Sequence, residues 1–122
     1  MTAYDQLGGE PFFRALVGDF YARVEADPVL RAMYPPGDLA PAAERLQLFL
    51  EQYWGGPGTY SERRGHPRLR MRHATFPIDD AARDRWLGHM RAALDATDLA
   101  RHLDAMLWEY LTRAAAAMVN AS

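Results

Sequence analysis

Residues 51–73 read EQYWGGPGTYSERRGHPRLRMRH, and this stretch joins two helical parts of the chain. Its glycines and proline at 55–58 end the preceding helix, because both residue types disfavour a helix interior. Pro67 suits the first turn of a short helix that carries Leu69, Met71 and His73. The connections over 54–67 and 26–40 are longer than the roughly two to eight residues usual in a helix bundle. We therefore expect these connections to be functional or to wrap around something.

Upstream of this stretch, apolar residues recur at helical spacing. The pattern predicts an amphipathic helix over 11–25 with a stripe formed by Phe12, Leu16, Phe20 and Val24. Pro28 opens a short helical segment, which Pro35 and the following Pro-Gly end just after Tyr34. Pro41 begins the next helix, whose predicted inner face contains Leu46, Phe49, Leu50 and Tyr53.

Downstream, two further helices are predicted. Asp79 or Asp80 caps the first, and its inner face holds Ala82, Trp86, Leu87, Met90 and Leu94. Thr97 or Asp98 caps the second, whose inner face holds Leu103, Met106, Leu107, Tyr110, Ala114 and Met118. No segment combines alternating hydrophobicity with hairpin turns. The sequence predicts an all-α single domain over residues 1–122.

Composition narrows the class of protein. The chain has 122 residues, 49% of them hydrophobic, with 14 basic and 16 acidic side chains and no cysteine. This balance argues against a nucleic-acid partner, which calls for clustered basic charge. No apolar run reaches the roughly 18 residues of a membrane span, and Met1 to Gly9 lacks the pattern of a secretory signal. We therefore expect a soluble, cytoplasmic protein without a transmembrane segment.

Four histidines are the candidate nitrogen ligands. His73 follows Leu69 by four residues and precedes Phe76 by three, which places it on the apolar side of its short helix. Taken alone, a histidine at such a position is more often a core residue with a satisfied hydrogen bond than a ligand. His66 lies in a polar loop, and His89 and His102 are predicted to be surface or boundary residues. Without an HExxH or carboxylate–histidine pattern, a lone axial imidazole suits haem, which supplies the remaining ligands itself.

Two further features have alternative interpretations. Tyr21, Tyr34 and Trp86 lie on separate elements, and each falls on a predicted inner face or at its end. This placement is compatible with core packing or with a pocket for a polar ligand. The basic run over 63–72 is compatible with a solvated loop or with cations that pair with carboxylates of a cofactor.

Taken together, the sequence resembles the group II truncated haemoglobins of actinobacteria. The matching pieces are the Gly-Gly pairs at 8–9 and 55–56, Phe20-Tyr21, the segment 30–35 that contains Tyr34, the stretch from Glu44 to His73, and Trp86-Leu87. Within them, the block from Glu51 to His73 is the most specific. The similarity extends from about residue 4 to residue 120. It implies a globin-like, truncated two-over-two helical sandwich around haem b.

The resemblance also implies the site. His73 becomes the proximal iron ligand, and Tyr21, Tyr34 and Trp86 form a polar distal cage beside Ala42 and Leu46. Ala42 leaves no histidine or glutamine at the distal gate. The propionate partners are Tyr60, His66 and Arg72. The residues that pack around the porphyrin are Pro35, Phe49, Leu69 and Phe76.

The leading functional interpretation is a pentacoordinate haem protein that binds O2 and other diatomic ligands. One alternative is a haem redox enzyme with peroxidase-like or NO dioxygenase-like activity, which would require a reductase partner. The other is a helical interaction module without haem. Self-association as a homo-oligomer is compatible with each.

Overall fold

The computed structural model describes residues 2–34, 36–58 and 78–119. Within these ranges the regular secondary structure is entirely helical, which confirms the predicted all-α class. The helices are α1 (Ala3–Leu7), α2 (Gly9–Glu25), α3 (Pro28–Arg31), α4 (Ala40–Tyr53), α5 (Asp80–Asp95) and α6 (Arg101–Met118). Among the described residues, no helix is long and apolar enough to cross a membrane.

Helix α2 forms the centre of the core. It packs against α4 and α5, and α5 in turn packs against α6. The buried side chains of α2 recur every three or four residues and are Phe13, Leu16, Val17, Phe20, Tyr21 and Val24. Each fully buried large side chain contributes about 1.5–3 kcal/mol of transfer free energy. The apolar stripe therefore determines how the two neighbouring helices are placed.

The helix ends follow local chemistry. Asp79 caps α5, as predicted, because its Oδ1 accepts the Ala82 N–H at 2.8 Å. The prediction that Thr97 or Asp98 caps the last helix was wrong, since α6 follows Ala100 without a side-chain cap. The hydroxyl of Thr97 instead donates to the Leu94 carbonyl at 2.7 Å and so belongs to the end of α5.

The short helix α1 was not predicted, because five residues are too few to show an apolar period. Thr2 and Asp5 form a capping box at its start. The helix packs tightly against the end of α4, where a Cβ on Gly56 would lie 2.7 Å from the Tyr4 ring and 2.8 Å from the Glu51 carbonyl. Gly56 is therefore required for this close approach.

The structure differs from the predicted inner faces at two residues. Tyr53 was predicted to face inward but is 51% exposed. Its ring stacks on that of Tyr110 with a centroid distance of 4.0 Å, so aromatic contact with α6 places it at the edge of the core. Leu111, which was not assigned to the inner face of α6, is buried.

Candidate functional site

The structure brings Tyr21, Tyr34 and Trp86 together from three elements. Tyr21 lies on α2, Tyr34 follows α3, and Trp86 lies on α5. The rings of Tyr21 and Tyr34 meet edge to face with centroids 5.7 Å apart. Phe20 connects the group, because its ring centroid lies 4.9 Å from that of Tyr21 and 5.0 Å from that of Trp86. We call these three polar aromatic residues the α2–α5 aromatic cluster.

Hydrogen bonds within this cluster converge on the hydroxyl oxygen of Tyr34. The Trp86 indole can only donate, so Tyr34 accepts its N–H. The hydrogen bond between the two tyrosines raises the pKa of Tyr21 and lowers that of Tyr34. Each tyrosine hydroxyl can both donate and accept, so the cluster has hydroxyl donors in addition to the Trp86 N–H.

Burial is the main reason that the pKa values of both hydroxyls lie above the ordinary value of 10.0. Both tyrosines are therefore neutral and able to donate at physiological pH. The positive charge of Arg45 acts in the opposite direction on both pKa values. Arg45 was not singled out from the sequence, although its position on α4 beside Leu46 would have indicated it.

Helix α4 contributes small and apolar side chains. Ala42 is buried, whereas Leu46 and Phe49 are only partly buried and pack against the core. A half-buried apolar face of this kind suits contact with a large flat apolar group. The structure therefore combines a hydrogen-bonded polar cluster with apolar surface on α4.

Several predicted site residues lie outside the described part of the chain. They are Pro35, Tyr60, His66, Leu69, Arg72, His73 and Phe76. Of the other histidines, His102 is exposed and His89 is partly buried, in agreement with the sequence. Among the described residues there is no group of three or more side chains suited to hold a metal ion.

Sequence reasoning did not identify the environment of Asp27, which links α3 to α5. Its carboxylate is buried, with Oδ2 2.8 Å from Nε2 of His89 and both oxygens 3.3 Å from Nη1 of Arg85. The hydrogen bond from His89 is the largest cause that lowers the pKa of Asp27, and with the backbone and Arg85 bonds it outweighs burial and brings the value to about 2. We call Asp27, Arg85 and His89 the Asp27 clamp.

Comparison with known proteins identifies the family. The family model described as bacterial-like globin matches residues 2–120. A group 2 truncated hemoglobin of Bacillus subtilis is 41% identical over 112 residues, which cover 92% of this chain and 84% of that protein.

Solved structures agree with this match. A thermostable hemoglobin from the actinobacterium Thermobifida fusca is 64% identical, with a TM-score of 0.97 and 98% of each chain covered. A truncated oxygen-avid haemoglobin from Bacillus subtilis is 39% identical, with a TM-score of 0.92, over 98% of this chain and all of the other. The chain therefore belongs to the bacterial-like globin family, as a truncated haemoglobin of group II. Membership implies a haem-binding role.

Proposed function

We propose that this chain binds O2 and other diatomic ligands at a haem b held by His73, with Tyr21, Tyr34 and Trp86 on the ligand side. The observation that carries the proposal is the hydrogen-bonded convergence of these three residues. The solved oxygen-avid relative, which shares 39% of its sequence with this chain, gives independent support.

The described residues fit a haem on two grounds. The half-buried apolar face of α4, formed by Leu46 and Phe49, suits the flat porphyrin. Ala42 has only a methyl group, which leaves space beside the cluster. When bound, haem supplies an iron centre that takes a diatomic ligand. Tyr60, His66 and Arg72 are proposed to pair with the propionates.

The cluster has two tasks in this proposal. The Tyr34 O–H donates to a ligand that acquires negative charge, and a hydrogen bond to a charged group is worth about 1.5–3 kcal/mol. Trp86 donates to the Tyr34 oxygen and Tyr21 shares a hydrogen bond with Tyr34, and we infer that these bonds orient the Tyr34 hydroxyl towards the ligand. Such preformed donors require no reorganisation when the ligand enters. We therefore expect slow release of O2.

The proposal is tested by spectroscopy on matched histidine variants. Wild type, His73→Ala and His102→Ala are purified, reduced without oxygen, and mixed with O2 or CO. His73→Ala is expected to lose most of its haem, because the sole proximal ligand is removed. His102 is an exposed residue of α6, so His102→Ala should keep the full Soret band.

The rival interpretations give different results. A wild-type protein without a Soret band would support the haem-free interaction module. Full haem retention in His73→Ala, with an unchanged ferrous spectrum, would refute the proximal assignment. Rapid turnover of peroxide or NO in place of reversible O2 binding would favour the redox enzyme.

A further inference from the structure

We propose that Asp27 is a positioning residue for the ligand-side donors, because the Asp27 clamp joins the segment that carries Tyr34 to the helix that carries Trp86. This inference rests on the proposed function, since it concerns how Tyr34 and Trp86 are held together. It assigns a role in ligand retention to three residues that line a cleft outside the α2–α5 aromatic cluster.

On one side, Asp27 organises α3. Its Oδ1 accepts the N–H of Val29 at 3.0 Å and that of Leu30 at 3.3 Å, which caps the helix. Turn hydrogen bonds between residues three apart then continue to Tyr34, whose N–H donates to the Arg31 carbonyl at 3.2 Å. The backbone of Tyr34 is thus connected to the capped turn without an intervening loop.

On the other side, the same carboxylate binds α5. Arg85 and His89 are four residues apart and therefore share one face of the helix. Trp86 directly follows Arg85, so the backbone that Asp27 holds is the backbone that carries the indole. The clamp and the hydrogen bond from Trp86 to Tyr34 consequently span the same gap between α3 and α5.

Helix α3 has only four residues, which is too short to be stable by itself. Its position depends on tertiary contacts, and its buried apolar residue is Leu30. Apolar contact is non-directional and does not fix the rotation of a short helix. The directional bonds of Asp27 are what orient α3 relative to α5.

The clamp lies at an open cleft of about 390 Å³, so its side chains can be replaced without creating a cavity in the core. The residues that line this cleft are Arg23, Ala26, Asp27, Pro28, Arg85 and His89. Variants on α5 also leave the cap of α3 intact. His89→Ala removes one bond to Asp27, and His89→Gln retains a side-chain donor at this position.

Asp27→Asn tests the charge separately, because asparagine is as good an N-cap as aspartate but carries no negative charge. The matched control is Arg91→Ala. Arg91 also lies on α5 and binds a carboxylate of another helix, Asp104 of α6, and its second ion pair is with Asp95 at the end of α5. Its loss should lower stability without affecting the donors.

The experiment measures O2 and CO dissociation, the C–O stretching frequency of the CO complex, and thermal stability of the haem-loaded proteins. In Asp27→Asn and His89→Ala we expect O2 dissociation to accelerate about three-fold to ten-fold, with a smaller change for CO. The C–O frequency should shift in the same direction as in Trp86→Phe. His89→Gln should restore most of the wild-type rate, and Arg91→Ala should melt earlier with an unchanged O2 rate.

An unchanged O2 rate in both clamp variants, whatever their stability, would overturn the inference and leave Asp27 as a helix cap. Equal acceleration in Arg91→Ala would also overturn it, because general loosening would then explain the effect. If Asp27→Asn does not fold, the O2 dissociation rates of His89→Ala and His89→Gln test the inference in its place. Faster O2 release in Trp86→Phe without any effect of the clamp variants would refute this inference alone, whereas absence of haem in wild type would refute the proposed function.

Discussion

The molecule contains two clusters of the same composition, each with two tyrosines and one tryptophan. The α2–α5 aromatic cluster is connected through hydrogen bonds to Tyr34. The second, formed by Tyr53, Trp54 and Tyr110, is connected through ring contacts, with Tyr53 and Tyr110 stacked and Trp54 edge-on to both. We call it the α4–α6 aromatic cluster. The same residue types thus provide polar donors in one place and apolar packing in the other.

The tryptophans show the contrast most clearly. The Trp86 N–H is bound by Tyr34, whereas the buried Nε1 of Trp54 has no hydrogen-bond partner in the part of the chain that the structure describes. A buried donor without a partner costs about 1–3 kcal/mol, so ring packing must offset that cost at Trp54. Composition therefore does not determine which cluster can serve a ligand. The direction of the polar atoms does.

The largest expected effect distinguishes the two tryptophans. Trp86→Phe keeps an aromatic ring against Phe20 but removes the N–H, so we expect O2 dissociation to rise about ten-fold, which corresponds to about 1.4 kcal/mol. Trp54→Phe should leave this rate unchanged. Stopped-flow O2 displacement measures both rates, with thermal melting as a control. An unchanged rate and a large loss of stability in Trp86→Phe would make Trp86 a core residue only.

A smaller effect is expected when the shared acceptor is removed. Tyr34→Phe loses one donor to the ligand but releases Tyr21 and Trp86, which can then donate to it instead. We expect O2 dissociation to rise only about three-fold, and the double variant with Trp86→Phe to be non-additive. Stopped-flow O2 displacement on wild type, Tyr34→Phe, Trp86→Phe and the double variant gives a double-mutant cycle for the two residues. Strict additivity would show that the hydroxyl and the indole act independently.

Tyr110 of the α4–α6 aromatic cluster should make the free energy of unfolding depend on pH in the alkaline range. Burial, and then the charge of Tyr53, raise the pKa of Tyr110 to about 12 from an ordinary 10.0. The folded protein therefore binds this proton more tightly than the unfolded chain, so the stabilisation is complete below pH 10 and is lost as the pH rises towards 12. Urea unfolding at several alkaline pH values should show a shallower loss of stability in Tyr110→Phe than in wild type. Equal slopes in the two proteins would contradict the assignment.

The smallest effect is expected for a residue outside both clusters. Arg72→Ala removes a proposed propionate partner at the rim, and such exposed ion pairs are worth at most about 1 kcal/mol. Because the loss is at most about 1 kcal/mol, haem transfer to apomyoglobin should accelerate only a few-fold. The rate of O2 dissociation should stay unchanged. A transfer rate equal to that of wild type would argue against a propionate contact.

Local sequence patterns were sufficient to predict most of the helices. The apolar stripe of α2, the helix start at Pro28 and the cap at Asp79 depend on a few neighbouring residues, so they can be identified without knowledge of the fold. The same reasoning failed where a helix was too short to show an apolar period, and where one residue could belong to either of two helix ends. Helix α1 has too few residues to show a period, and Thr97 can end one helix as readily as it can begin the next.

The candidate site was only partly predictable. Helical spacing placed Tyr21, Tyr34 and Trp86 on inner faces or at the end of one, but left packing and a polar pocket as equal alternatives. Resemblance to truncated haemoglobins assigned their role, and the roles of His73 and the other residues beyond the described ranges remain predictions. Asp27 was missed altogether, because its partners Arg85 and His89 lie 58 and 62 residues away.

The sequence by itself therefore determined the longer helices, most of their buried faces and the globin family, because each depends on local spacing or on a motif read directly from the chain. Only the tertiary structure decided which polar atoms meet. The hydroxyl of Tyr34 becomes an acceptor for Trp86, and Asp27 a partner of His89, only when α3 packs against α5. Hydrogen bonds require both distance and direction, and between residues so far apart in the chain these are set by the packing of whole helices.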